Sequence, residues 1–552
     1  MTSLRSARAL AYAPFLLLGV AVVAAGVKLL SLDSQLTFIA DDWMLLVKRH
    51  GWSVDYFLHP FNGNVVAAPG LVYKLIREVF GMGSATPYYA AAIACFLASA
   101  VLLFVYIRRR VGDWPALLGA VLILFLGAAF EDLLFAFQIG YFASVATGLG
   151  ALIALDREDD RGDRIACALV VVSLSFSSIG IAFVAGAVVD LALGRRPRAR
   201  RSYVALVPIA VYALWWVGWG HLGHNHISVH NIVSAPRFVF DAAAAGIVSL
   251  LGLATGDGSE PSQPHLVWGQ VLLVAGLILL GIRTARTGKV PRGLAVALAI
   301  GLAFWAVAAL NRSVARLPTS SRYQYPSAVF ILLIGAEMLR GLRVPRLATV
   351  AAAAITLAAV VGGVSLLDRE HEERWVPYAN SLRSSLAAVE IAGRSADPGF
   401  PVFFPPDIEA PARAYLTAVS AYGSPAFSEE QLRARPASER ASADLTMAQA
   451  LGLALVQPDP GQRILQCQTL RATADGHSGL TLLRGGFVLS NPGADGVEVR
   501  LSRFADEYSV GLGPLDAGVT ASLQIPADRS SAPWNLGLFG DGPVQLCTTT
   551  GV

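Results

Sequence analysis

Long apolar runs recur along the first two thirds of the chain, at 9–27, 88–107, 114–130, 202–220, 267–282, 295–310, 325–339 and 348–367. About 20 apolar residues in a helix cross a hydrocarbon core of about 30 Å, so this recurrence predicts a transmembrane helical bundle rather than a soluble core. Arginine collects on alternate connections, and cytoplasmic loops are the ones that carry excess Lys and Arg. Arg5 and Arg8 precede the first run, Arg108 to Arg110 follow the second, and RRPRARR (195–201) and RGLRVPR (340–346) follow later ones. The N-terminus is therefore expected in the cytoplasm.

Two stretches depart from a simple zigzag. Residues 165–193 run from the mixed-charge DREDDRGDR (156–164) to the basic 195–201 cluster, so both ends read as inner, yet the stretch is too short for two full spans. SLSFSSIG (173–180) supplies a polar break. Two short helices meeting inside the membrane fit, with the broken backbone buried in protein or lining a cavity; a single tilted span is the alternative. The weaker segment 238–254 reads as interfacial or re-entrant, because a crossing there would put the basic RTARTGKVPR (283–292) outside. About eleven membrane segments result, with everything after Asp368 outside.

Composition sharpens this picture. The 552 residues are 55% hydrophobic and 15% charged, whereas soluble domains carry about a quarter charged residues. The first run exceeds the ~7–15 residues of a cleavable signal core and is expected to stay as an anchor. A formal charge of +4 gives no reason to invoke nucleic acid. The expected class is mainly α: a polytopic transmembrane bundle over 1–367, a mixed α/β segment over 368–462, and a β-sandwich-like domain over 463–552. The last rests on short alternating runs, as in LTLLRGGFVLSNPGADGVEVRLSRF, punctuated by Gly, Pro, Asn and Asp. Cys467 and Cys547 bracket that domain and are a candidate disulfide if it is extracytoplasmic. Cys95 and Cys167 sit in apolar runs and read as small hydrophobes.

Chemistry-bearing residues collect on the side opposite the basic loops. Asp41 and Asp42, in FIADDWMLLVKRHGW, follow the first span; Glu131 and Asp132 follow the third. NRSVARLPTSSRYQYP (311–326) falls outside by parity yet carries Arg312, Arg316 and Arg322 with no acid. Its arginines suit a phosphate, which the planar guanidinium grips with two parallel hydrogen bonds, or else lipid headgroups. A carboxylate within hydrogen-bond reach can take a proton from a hydroxyl nucleophile. Asp41 and Asp42 could alternatively cap a short helix starting near Trp43. His221, His224, His226 and His230 are a candidate set for a divalent metal, though their spacing matches no recognised site. His59 lies on the same face.

An acidic pair just beyond the first span, a second acidic site in the next outer loop (AFEDLLFAFQ, 129–138), many spans and an outer soluble domain together resemble the GT-C superfamily of membrane glycosyltransferases. The chain is also similar to Ala- and Arg-rich bacterial cell-envelope proteins, a similarity that implies no substrate. The GT-C resemblance covers roughly 1–367 and does not extend to the tail. It implies a multi-pass protein of the bacterial cytoplasmic membrane. Such a protein moves a sugar from a polyprenyl-phosphate-linked donor to a hydroxyl of an envelope glycan or glycolipid, on the extracytoplasmic face. Asp41 or Asp42 would be the base, Glu131, Asp132 or His59 would assist or bind acceptor, and Arg322, with Arg316 and Arg312, would hold the donor phosphate. The resemblance fixes no cofactor, and a divalent metal is the one candidate. A transporter or flippase of lipid-linked glycan, or a polysaccharide-binding scaffold, are the competing classes; charges at span ends rather than mid-membrane disfavour transport.

Overall fold

The computed structural model describes residues 2–49, 51–194, 196–223, 227–255, 263–312, 316–342 and 345–549. The chain divides into two compact units. The first comprises Met1–Gln35, His50–Ile76 and Ala85–Val376; the second comprises Leu36–Arg49, Arg77–Ser84 and Pro377–Val552.

The first unit is helical. Seven described helices are long and apolar enough to cross a membrane, or eight if Asp113–Leu124 and Gly127–Leu133, bent by 40°, form one broken span. Eleven segments were expected, and length explains the difference. Asp160–Phe176, Gly180–Leu193, Tyr203–Gly218 and Gln324–Leu339 have 17, 14, 16 and 16 residues. At 1.5 Å per residue these run roughly 21–26 Å, short of a full hydrocarbon core. The side chains argue for lipid around the bundle. Along Leu266–Thr287, Val271, Leu277 and Leu279 are 56%, 49% and 61% exposed. A contiguous apolar face of this kind is a liability in water and ordinary against acyl chains.

The expected break in 165–193 is present: one helix ends at Phe176 and the next begins at Gly180. Both return to the basic end of the bundle, where their flanking charges meet. Arg201 bonds Asp163 at 3.0 Å and Asp190 at 2.9 Å. Arg292 reaches Asp190 at 2.6 Å and Glu158 at 2.9 Å. Arg110 bonds Asp156 at 2.9 Å and the fully buried Glu337 at 2.6 Å. The acids of DREDDRGDR are thus the counter-charges of arginines on three other helices, which ties the helix ends together. Away from that end, Gly127 and Gly363 let two backbones touch: a Cβ on Gly127 would lie 1.8 Å from the Gly363 carbonyl oxygen. Small residues allow such approach between membrane helices.

Val229–Leu250 passes the length and apolarity test for a span, yet both its ends bond to one end of the bundle. The Asn231 amide donates to the carbonyls of Leu310 (3.2 Å) and Arg312 (3.0 Å), and the Ser249 hydroxyl donates to Gln324 Oε1 (2.9 Å). Leu310 closes the helix that starts at Arg292, and Gln324 opens the one that ends at Leu339. Both lie opposite the basic cluster. Such a helix lies along that end instead of running between the two.

The second unit carries two four-stranded antiparallel sheets. One orders Thr520–Ile525, Gly485–Ser490, Gly542–Thr549 and Ile464–Ala472; the other orders His477–Leu482, Trp534–Phe539, Val497–Ser502 and Val510–Leu515. Alternation sends Val497, Val499 and Leu501 inward to meet Leu523, Leu536, Leu538 and Val544. Cys467 and Cys547 face each other across paired strands and are disulfide-bonded. Helix Ala437–Ala450 is pinned to this core through Asp444, whose carboxylate accepts the backbone N–H groups of Arg503, Phe504 and Ala505 at 2.7–3.0 Å. The hairpin Pro401–Phe404 with Ile408–Pro411 buries Val402 and Phe404 and leaves Phe403 48% exposed.

Candidate functional site: a cationic cavity and an acid pair

FNGN (61–64) makes a two-residue turn. Asn62 and Gly63 both have positive φ (48° and 73°), and the backbones of Phe61 and Asn64 exchange two hydrogen bonds. Asn-Gly suits such a turn because both central residues must adopt left-handed backbone. The turn delivers Asn62 and Asn64 to the rim of a cavity of about 100 Å³ in the first unit. The break between the two short helices contributes Ser177 and Ser178, the end of Arg292–Leu310 gives Asn311, and the arginine loop gives Arg316, Arg322 and Tyr323. Irregular backbone at membrane depth is tolerated where it lines such a cavity.

Among the described residues this lining has two guanidiniums, three amides, two tyrosines and two hydroxyls, and no carboxylate. The acid stands behind it. Glu131 Oε2 accepts the Arg322 N–H at 3.1 Å and lies 3.6 Å from its Nε. The Glu131 N–H donates to Ser321 Oγ, which donates to the Ala128 carbonyl. The kink after Leu126 and the 321–323 turn are thereby laced together, and the lacing aims Arg322. Burial raises the Tyr323 phenol above its ordinary pKa, against the pull of Arg316 and Arg322, so it stays a neutral O–H donor. Asp132, adjacent to Glu131, is wholly buried, and neither oxygen has a hydrogen-bond partner among the described residues. Buried acceptors are nearly always satisfied, so this orphan carboxylate, like that of Asp33 elsewhere in the chain, is a candidate for a functional group. At about 100 Å³ the cavity suits a phosphate-sized group, since pockets for larger ligands run from about 300 to 1,000 Å³.

Asp41 and Asp42 belong to the second unit and have different surroundings. Asp42 is buried; its Oδ2 accepts the Ile39 N–H at 2.8 Å while its own N–H donates to the Ile39 carbonyl. The helix begins at Asp41, so its N-cap is Ala40 and no side chain caps it; the capping role weighed from sequence is not met, and Asp42 instead reaches back to the Ile39 N–H that precedes the helix. Asp41 is half-exposed. Trp43 anchors the segment, stacked on Phe404 at 4.5 Å with its Nε1 donating to Phe38 O. The charges of both acids reach the Tyr378 phenol, whose hydroxyl donates to the Pro405 carbonyl.

Ala40 presents the pair from φ 39°, ψ −106°, a region that favours glycine. Ala40→Gly is expected to raise stability by about 1 kcal/mol, the strain relieved exceeding the added entropy of the unfolded chain. A lower thermal midpoint would show that the surroundings, not the backbone, set this geometry.

The remaining candidates scatter. Arg312 lines another cavity, with His230. His59 is exposed, and His221 Nδ1 is 3.2 Å from the Trp216 carbonyl. His224 and His226 lie outside the described residues. Among the described residues no group of three or more His, Cys, Asp or Glu could hold a metal. Sequence reading passed over Asn62, Asn64, Tyr141 and Asn311. The Asn-Gly turn was a usable signal for the first two, and nothing local marks Tyr141. Comparisons with protein-family models, with curated proteins and with solved structures find no match for this chain.

Proposed function

We propose that this protein is a membrane glycosyltransferase of GT-C type. In this reading Arg316 and Arg322 grip the phosphate of a lipid-linked sugar donor, and a hydroxyl of an envelope glycan or glycolipid attacks the sugar. The observation that carries it is the cavity itself: two arginines and neutral donors, no carboxylate in the wall among the described residues, and Arg322 aimed by Glu131. Guanidiniums stabilise a departing phosphate because they stay charged and match its oxygens pairwise. The proton-taking carboxylate falls on the Asp41–Asp42 pair, as the resemblance implies, and Asp41, the less buried of the two, is taken as the base. Asp132 assists from beside Glu131. The membrane arrangement that goes with this reading has about eleven segments, a cytoplasmic N-terminus and the cavity on the extracytoplasmic side. The charge network at the opposite end supports it, since cytoplasmic loops are basic.

The test compares binding of a polyprenyl phosphate with the matching polyprenol to protein in detergent. Wild type should prefer the phosphate by at least about tenfold, and Arg316→Gln with Arg322→Gln should remove most of that preference. Equal affinity of wild type for the two lipids would sink the reading.

A further inference from the structure

The helix that lies along one end of the bundle presents a polar row. His230, Ser234, Arg237 and Asp241 fall at spacings of four, three and four, one face of a helix. Together with His265, Arg312 and Thr319 they line a cleft of about 600 Å³. This cleft is separate from the smaller cavity: Phe238 faces the cleft, Tyr323 faces the cavity, and the two rings meet edge to face at 6.0 Å.

Arg312 is built into the cleft wall. Its Nη2 donates to Ser234 Oγ at 3.1 Å, its guanidinium stacks 5.1 Å from the Phe238 ring, and its Nε is buried with no hydrogen-bond partner among the described residues. Arg237 stands at the rim with its side chain 90% exposed. Among the described residues the only acid in the lining is Asp241, which is engaged by Gln270 at 2.8 Å and lies 3.6 Å from Arg237. Two arginines thus stand, among the described residues, against one occupied carboxylate, flanked by two histidines, a balance that suits an anion.

The flanks identify the source of the anion. Val229, Ile232 and Val233 beside the polar row are 78%, 54% and 76% exposed, and Val267 and Trp268, following Leu266 of the lining, are 69% and 64% exposed. A soluble phosphate has no use for an apolar rim; a lipid whose chains run down the outside does. An interfacial helix with a basic polar face and exposed apolar neighbours belongs at headgroup level, where Trp also concentrates. We propose that this cleft holds the phosphodiester headgroup of an anionic phospholipid, gripped by Arg312 and Arg237.

The proposal does not depend on sugar transfer. Delipidated protein in detergent is incubated with phosphatidylglycerol or phosphatidylcholine, and retained lipid is counted by native mass spectrometry. Wild type should retain phosphatidylglycerol about tenfold better. Arg237→Gln, at a side chain too exposed to be needed for folding, should cut that preference several-fold, and adding Arg312→Gln should abolish it. Arg471→Gln, removing an exposed arginine of the second unit, should change nothing. Equal retention of the two lipids by wild type overturns the proposal, as does full preference in Arg237→Gln. Inorganic phosphate alone separates the sources: a thermal shift with phosphate, without lipid preference, assigns the cleft to soluble phosphate and overturns the lipid assignment.

Discussion

Alanine at position 110 is expected to lower the stability of the helical bundle by about 3–5 kcal/mol, the range for breaking a buried ion pair from one side. The Arg110 side chain is 5% exposed, and its partner Glu337 is fully buried. Glu337 also accepts the Tyr106 hydroxyl at 3.0 Å and sees Arg340 only at 3.5 Å, from a side chain that is 58% exposed. Removing Arg110 leaves a carboxylate that cannot reach water and keeps one neutral donor. Gly293 packs against this carboxylate: a Cβ there would lie 2.4 Å from Glu337 Oε2, so position 293 has no room for a side chain. The measurement is the thermal unfolding midpoint in detergent. Arg110→Met with Glu337→Leu should recover most of the loss, because replacing both charges removes the desolvation cost as well as the attraction. A single variant as stable as wild type would mean that the pair is solvated in the membrane-bound protein.

That network was only half legible from sequence. Arg108 to Arg110 and the 195–201 cluster announced the basic end through the charge bias of loops, a bias that acts on the chain as it inserts. Glu337 gave no warning, because one acid inside GAEML looks like an ordinary helix residue until Arg110, more than two hundred positions away, arrives beside it. The same limit shaped the candidate site. The break at Ser173–Gly180 could be read locally, since polar and glycine residues interrupt an apolar run, and it does form part of a cavity wall. The arginine loop could be read as anomalous in charge. Its division between two cavities could not, because that depends on the ring contact of Phe238 with Tyr323. The helix Val229–Leu250 misleads for a related reason: its length and apolarity are those of a span, while Asn231 and Ser249 bond to the same end of the bundle.

The acid pair shows what burial adds to a two-residue motif. Adjacent carboxylates are indistinguishable in sequence, yet one is spent on the backbone and the other is not fully buried. Asp41→Asn is expected to leave the thermal midpoint close to wild type, as substitutions at partly exposed positions usually do, while lowering sugar transfer by about 10²–10⁴-fold, the usual contribution of a positioned base. Asp42→Ala should do the reverse in emphasis: it strands the Ile39 N–H beneath Trp43 and costs about 1–3 kcal/mol of stability. Any loss of transfer there should track the fraction of protein unfolded. Incorporation of radiolabelled sugar into envelope glycan, by membranes carrying wild type or either variant in equal amounts, reads both effects once the unfolded fraction is known. Full transfer by Asp41→Asn would remove the base from this carboxylate and leave the buried Asp132 as the acid to test next, because it alone among the candidates lacks any hydrogen-bond partner in the described residues.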